Sequence, residues 1–217
     1  MKNSILMFSA IVISLISCNN ATNNSTASAD STTIEKKDTV AETHPPMDSA
    51  AMMKAWMDFA TPGPMHTWLS KMNGTWDADV SQWMDPAAPP TIVKSTSTQT
   101  MGLGGRYAIG KFTGSMMGQP FEGMSIMGYD NSKKVFVNSW VDNMGTGIVQ
   151  MSGTYDESTK TLNLKGHQTD PTTGKDCDIR EEMKIIDDNN YIMTMYGPDP
   201  TGKEMKFMEG KFTKRKA

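Results

Sequence analysis

Residues 175–186 read KDCDIREEMKII, and their polarity alternates with a period of two. Cys177, Ile179, Met183 and Ile185 share one face with a single carboxylate, Glu181, while Asp178, Arg180, Glu182 and Lys184 share the other. Successive side chains of a strand point to opposite faces, so the stretch reads as a β-strand with one side buried and one side in water. Glu181 falls on the apolar side of that division. A strand of this kind needs partners, and the flanking sequence supplies them.

The strand is bracketed by DPTTGK (170–175) and DDNN (187–190), and further segments of the same type stand at YDNSKK (129–134), YDESTK (155–160) and GPDPTGK (197–203). Their Asp, Asn, Gly and Pro residues provide the side-chain-to-backbone bonds and positive φ angles that tight hairpins require. The runs between them predict ten strands, near 75–84, 91–101, 105–114, 119–129, 133–142, 146–155, 160–168, 175–186, 190–196 and 203–213. No helix-length segment interrupts the series, so parallel crossovers are excluded and an antiparallel meander is expected. Closing the sheet on itself removes two edges that would otherwise template aggregation, which favours an all-β barrel. A strongly coiled open sheet with helices in its concavity is the alternative. A barrel of this size encloses a small-ligand cavity or is filled by its own side chains.

Upstream the period changes. Asp48 or Ser49 caps a helix with Met53, Trp56, Met57 and Ala60 at helical spacing, and TPGP (61–64) stops it. Met65, Trp68, Leu69 and Met72 repeat the spacing, and Asn73-Gly74 provides a left-handed exit. Residues 48–217 are therefore read as a single barrel domain preceded by two short helices.

Residues 19–46 offer only Ile34 and Val40 as sizeable apolar side chains, too few to offset the entropy of ordering, so 18–47 reads as a tether. Before it, the apolar run Ile5–Ile16 follows Lys2 and is shorter than the roughly 20 residues needed to span a bilayer, which identifies 1–17 as a signal peptide. Leu15-Ile16-Ser17-Cys18 resembles a bacterial lipobox, in which the cysteine becomes the acylated first residue. An ordinary secretory signal is the alternative. Acyl chains contribute about 0.8 kcal/mol per buried CH₂, so acylated Cys18 would anchor the protein to a membrane. Asn19 and Asn20 bring no acidic residue next to it, unlike inner-membrane retention signals, so the expected address is the outer membrane, facing the periplasm.

Composition narrows the function further. The formal charge is -3, and setting aside a cleaved leader with the acidic segment 19–50 leaves a nearly neutral body. Nucleic-acid binding is therefore not expected, and Lys214-Arg215-Lys216 reads as a solvated tail. Of the 2 Cys, Cys177 has no intramolecular partner once Cys18 is acylated, and it reads as a core thiol flanked by Asp176 and Asp178.

Gly74-Thr75-Trp76, where the first strand begins, resembles the G-x-W signature of lipocalins and related calycin barrels. That resemblance implies that Trp76 closes one barrel end beneath a basic residue from the last strand, here Lys211 or Lys214. A wider resemblance runs from PGPMHTWLSKMNGTWDADV through LGGRY, MMGQPFEGMSIMGYDNSKK, SWVDNMGTG and GTYDESTKTL to TDPTTGK. Together these are similar to the bacterial family called domain of unknown function 1579. The resemblance implies a calycin/lipocalin-like barrel and carries no catalytic residue.

Chemistry must then be read from individual residues. The 3 His lie in separate elements, His44 in the tether, His66 at a helix start and His167 at a strand edge, so no metal site or cofactor is expected. A haem on one histidine would require His66 or His167 to face the lumen. The 21 Met are spread over helices and strands, which suits an adaptable core and cavity lining better than a copper(I) array. Phe136, Asn138 and Trp140 share a strand face that mixes aromatic surface with an amide, the composition of a pocket wall. Arg106, after LGG, is a candidate countercharge for Glu181 or for a ligand carboxylate, with a rim or internal pairing as the alternative. The expectation is a ligand site formed by Arg106, Phe136, Asn138, Trp140 and Glu181 that takes a small apolar or amphipathic molecule. Alternatives are a hydrolase or isomerase with Glu181 or Asp142 as base, or a partner-binding module with a filled interior.

Overall fold

The computed structural model describes residues 48–216. Ten strands run in chain order: β1 Gly74–Gln82, β2 Thr91–Gly102, β3 Tyr107–Met116, β4 Gln119–Asp130, β5 Val135–Asp142, β6 Val149–Asp156, β7 Thr161–Thr169, β8 Asp176–Asp187, β9 Asn190–Pro198 and β10 Glu204–Lys214. Each pairs antiparallel with the next, and β1 pairs with β10 through Trp76 opposite Lys214 and Ala78 opposite Phe212, which closes the barrel. The meander and its closure are as the alternation predicts, and every strand end falls within three residues of its expected place.

The hairpins form where short polar side chains can replace backbone partners. Asp130 Oδ1 accepts from the N–H groups of Ser132 and Lys133 at 2.8 and 2.9 Å. Asp156, Asp170, Asp187 and Asp199 each accept likewise from the N–H two residues on. These bonds to the ionised form hold all five carboxyls below the ordinary aspartate value.

Two short helices precede the barrel, α1 Ser49–Ala60 and α2 Pro64–Ser70. Asp48 caps α1 by accepting from the Ala51 N–H at 2.7 Å. The apolar face of α1 is not buried, since Met53 and Trp56 remain 64% and 63% exposed. The helix meets the barrel through its last carbonyls, which accept from Asn131 Nδ2 at Phe59 and Thr61 and from Arg106 Nε at Ala60. The second helix, by contrast, inserts. Trp68 and Leu69 are buried, with the Trp68 ring centroid 5.1 Å from that of Phe136 and 4.8 Å from that of Tyr155.

The G-x-W segment pairs with the last strand. Gly74 adopts φ 123°, a conformation that favours glycine, and a Cβ there would lie 2.8 Å from Lys214 Cε and push the lysine stem aside. Trp76 is 1% exposed, and its Nε1 donates to the Met72 carbonyl at 2.8 Å. Lys214 Nζ stands 5.1 Å from the Trp76 ring centroid and donates to the Lys71 carbonyl at 3.1 Å. Trp76 is therefore buried where β1 begins, and Lys214 rather than Lys211 is the basic residue beside it.

Candidate functional site

Strands β2, β3 and β4 turn unusually small residues inward. Ser95, Ser97, Gly110, Gly114, Gly123 and Ser125 occupy positions where a filled barrel would place branched side chains. The opposite wall, on β8 and β9, carries Ile179, Met183, Met193 and Met195. Between these walls lies a void, which Phe112, Met116, Phe121 and Met127 of β3 and β4 also line. It measures about 310 Å³ and reaches from Leu69 and Met72 at the helix end to Gln82, Met116 and Gln168 near the other. Eight methionines line it, in keeping with their reading as adaptable cavity wall.

Trp140 lies across the glycine side. A Cβ at Gly123 would overlap its six-membered ring, so the indole occupies space that only glycine frees. Phe112 meets Trp140 edge-on at 5.0 Å and Phe121 stacks on it at 6.2 Å, between ring centroids. Trp140 Nε1 donates to Asp142 Oδ2 at 2.7 Å, while Asp142 Oδ1 accepts from the Met144 N–H at 2.9 Å. Both Asp142 oxygens are thus engaged in fixing the indole and the following turn, which leaves the carboxylate poorly placed to act as a base.

Glu181 is in a different situation. It is 5% exposed and lines the cavity, with Leu164 of β7 and Met195 of β9 as its neighbours in register. No hydrogen bond or ion pair reaches it among the described residues, and burial alone pushes its carboxyl up to about 7. Asn138, also 5% exposed, leaves its Oδ1 without a partner in the same cavity. The Tyr191 phenol is raised above its ordinary value, chiefly by burial and also by the charge of Glu181, while the Ser97 hydroxyl beside it opposes the shift. Ser97 Oγ itself makes no bond of good geometry.

Of the five expected ligand residues, Asn138, Trp140 and Glu181 line one cavity. Two do not. Phe136 is buried in the aromatic cluster beneath α2, with centroids 5.1 Å from Trp68 and 5.0 Å from Tyr129. Arg106 is drawn outward by carbonyls: its Nε donates to Ala60 at 3.0 Å and its Nη1 to Leu103 at 3.1 Å, so it tethers α1 to the β2–β3 turn and does not pair with Glu181. His66 and His167 are likewise outside the cavity lining, and His44 lies outside the described residues. His66 Nδ1 accepts from the Gly63 N–H at 3.0 Å at the start of α2, and burial lowers its pKa before the nearby Arg106 adds to the effect. His167 Nδ1 lies 2.8 Å from Asp178 Oδ1 on the outer surface. Cys177 is half-buried and unbridged, less enclosed than a core thiol. Cys18 lies outside the described residues.

Sequence reading missed the Ser/Gly wall. Its signal was the spacing of Gly110, Gly114 and Gly123 with Ser95, Ser97 and Ser125, small residues at inward parity in strands that turn chemistry does not explain.

Comparison with known proteins agrees with this architecture. No curated protein matches the chain. The crystal structure of Rv2717c from M. tuberculosis is similar over 72% of this chain and 100% of that one, with a TM-score of 0.55 at 12% identity, which speaks to the fold alone. Residues 61–214 match the model of the family described as "Protein of unknown function (DUF1579)". With the match spanning all ten strands, the chain belongs to the DUF1579 family.

Proposed function

We propose that this protein is a lipid-anchored barrel of the bacterial envelope that binds a small, largely apolar molecule in its interior. The observation that carries the reading is the cavity: about 310 Å³, walled by aromatic rings and thioethers, with Asn138 Oδ1 and the Glu181 carboxyl left without partners among the described residues. That combination is typical of small-molecule sites, which are mostly apolar with a small number of placed polar groups and start at about 300 Å³. A filled partner-binding module would have no use for a buried carboxyl facing empty space. The anchor rests on the lipobox-like Leu15–Cys18 segment, and the outer-membrane address on Asn19 and Asn20.

Native mass spectrometry of the full chain carrying Cys18→Ala tests the interior. A co-purifying small molecule, or saturable enhancement of N-phenyl-1-naphthylamine fluorescence, is the expected result. A bare polypeptide mass with no dye enhancement would overturn the binding reading. Fractionation tests the anchor: the unmutated protein should sediment with membranes and the Cys18→Ala form should not, whereas continued sedimentation of the variant would refute acylation.

A further inference from the structure

The charge inside the barrel is one-signed. Among the described residues, the cavity lining includes Glu181 and Asp142 and no Lys, Arg or His. Arg106, the countercharge suggested by the sequence, is committed to the carbonyls of Ala60 and Leu103. A ligand carboxylate would therefore find no countercharge and would face a second carboxylate. A purely apolar ligand would leave Glu181 and Asn138 Oδ1 unsatisfied, and each such buried group costs about 1–3 kcal/mol when it has no partner. What the lining lacks is a cationic donor.

On the reading that the cavity binds a ligand, we infer that its ligand is an apolar amine whose ammonium head pairs with Glu181, with Asn138 Oδ1 a second acceptor in the same cavity. An ammonium carries three donors and no acceptor, which matches two pure acceptors on the wall. The groups facing Glu181 from its neighbouring elements leave it free for this role. Leu164 on β7 and Met195 on β9 are apolar, Tyr191 on β9 is uncharged at neutral pH, and Asp142 is occupied by Trp140 and Met144. Trp140, Phe112 and Phe121 also line the cavity, and an aromatic ring favours a cation where its face is open to one. Proton accounting is balanced either way: an ammonium beside a carboxylate and a neutral amine beside a carboxylic acid contain the same atoms, and one proton lies between them.

The test compares octylamine, octan-1-ol and octanoate as competitors of N-phenyl-1-naphthylamine on the full chain carrying Cys18→Ala, at pH 8. Octylamine should bind at least tenfold tighter than octanol, and octanoate should be weakest. Glu181→Gln should remove the amine preference while octanol affinity stays within about threefold. If octanol binds and octylamine is no tighter, or octanoate matches it, the amine inference is overturned and the cavity reading survives. If none of the three displaces the dye and the dye itself does not bind, both fail together. Should Glu181→Gln not fold, the ranking on the unsubstituted barrel decides, and Asn138→Leu provides the second variant: an unchanged amine preference in it would remove Asn138 from the head-group site.

Discussion

Replacing Glu181 by Gln should make the barrel more stable at pH 8 than at pH 4.5, relative to the unsubstituted protein. The reasoning follows from proton linkage. Below about 4.5 the carboxyl is protonated in both folded and unfolded chains, so Glu181 contributes no pH dependence. Between 4.5 and about 7 only the unfolded chain ionises, so stability falls as pH rises; above about 7 both forms are ionised and the cost is complete. Carrying a buried carboxyl over that interval corresponds to roughly 3 kcal/mol, an order-of-magnitude figure. For a domain of this size that is a Tm difference of roughly 6–12 °C. His66, whose pKa is lowered by burial, works in the opposite direction, gaining stability as pH rises toward 6.5. It is present in both proteins and cancels in the difference between their curves. Urea denaturation of ligand-free protein at half-unit steps from pH 4.5 to 8 measures that difference. Parallel curves for the two proteins would show that Glu181 ionises as freely folded as unfolded, and the buried, partnerless carboxyl would be refuted.

Other perturbations separate the parts of the fold. Gly123→Ala places a Cβ on the Trp140 ring, which Asp142 and two aromatic neighbours hold in place, so it should cost about 1–3 kcal/mol in urea melts and weaken dye binding; an unchanged affinity would mean the indole is free to move. Trp68→Ala removes the ring packed on Phe136 and Tyr155 and should cost about 3–5 kcal/mol, whereas Trp56→Ala on the exposed face of α1 should leave Tm within about 1 °C. The five turn aspartates have folded pKa values below the unfolded value, so their contribution is present above the ordinary aspartate pKa and is lost as pH falls through the folded one. Acid melts between pH 4 and 2 should therefore show a steep loss. Exchanging all five for Asn, which can accept the same N–H bonds without titrating, should flatten it. Deleting residues 19–46 should leave the barrel Tm unchanged, and a drop of several degrees would show that this segment packs.

The strands were legible because two independent signals coincide. Alternation in KDCDIREEMKII assigns each side chain to a face, and the aspartate turns fix where the chain reverses, so a register slip would put Lys184 or Arg180 inside. Trp76 was read for a different reason: Gly74-Thr75-Trp76 resembles the G-x-W signature, which left Lys211 and Lys214 open as its partner, and the structure puts Lys214 opposite it. Parity likewise placed Asn138, Trp140 and Glu181 toward the interior. It did not place Phe136, which shares their face but sits at the level where α2 enters, because depth along the barrel depends on which end the helix plugs and no local pattern encodes that.

Arg106 and the small-residue wall mark the harder limit. Arg106 follows two glycines with positive φ, 68° and 82°, and the direction of its side chain depends on carbonyls 46 residues away at the end of α1. Moving Arg106 out of the interior changes the chemistry of the cavity more than any residue found inside it. With an arginine present, Glu181 would be a buried ion pair, closed to ligands and normal in its titration. Without one, the same carboxyl has a raised pKa and no partner among the described residues, in a cavity whose Trp140 and Phe112 rings lie over Gly123 and Gly110. The wall and the carboxyl lie on separate strands and have meaning only together: large residues on β3 and β4 would seal Glu181 away, and an apolar residue at 181 would make the void an ordinary packing defect. The coexistence of a void with an unneutralised acid in one barrel is costly to folding, and a bound donor would relieve both costs at once.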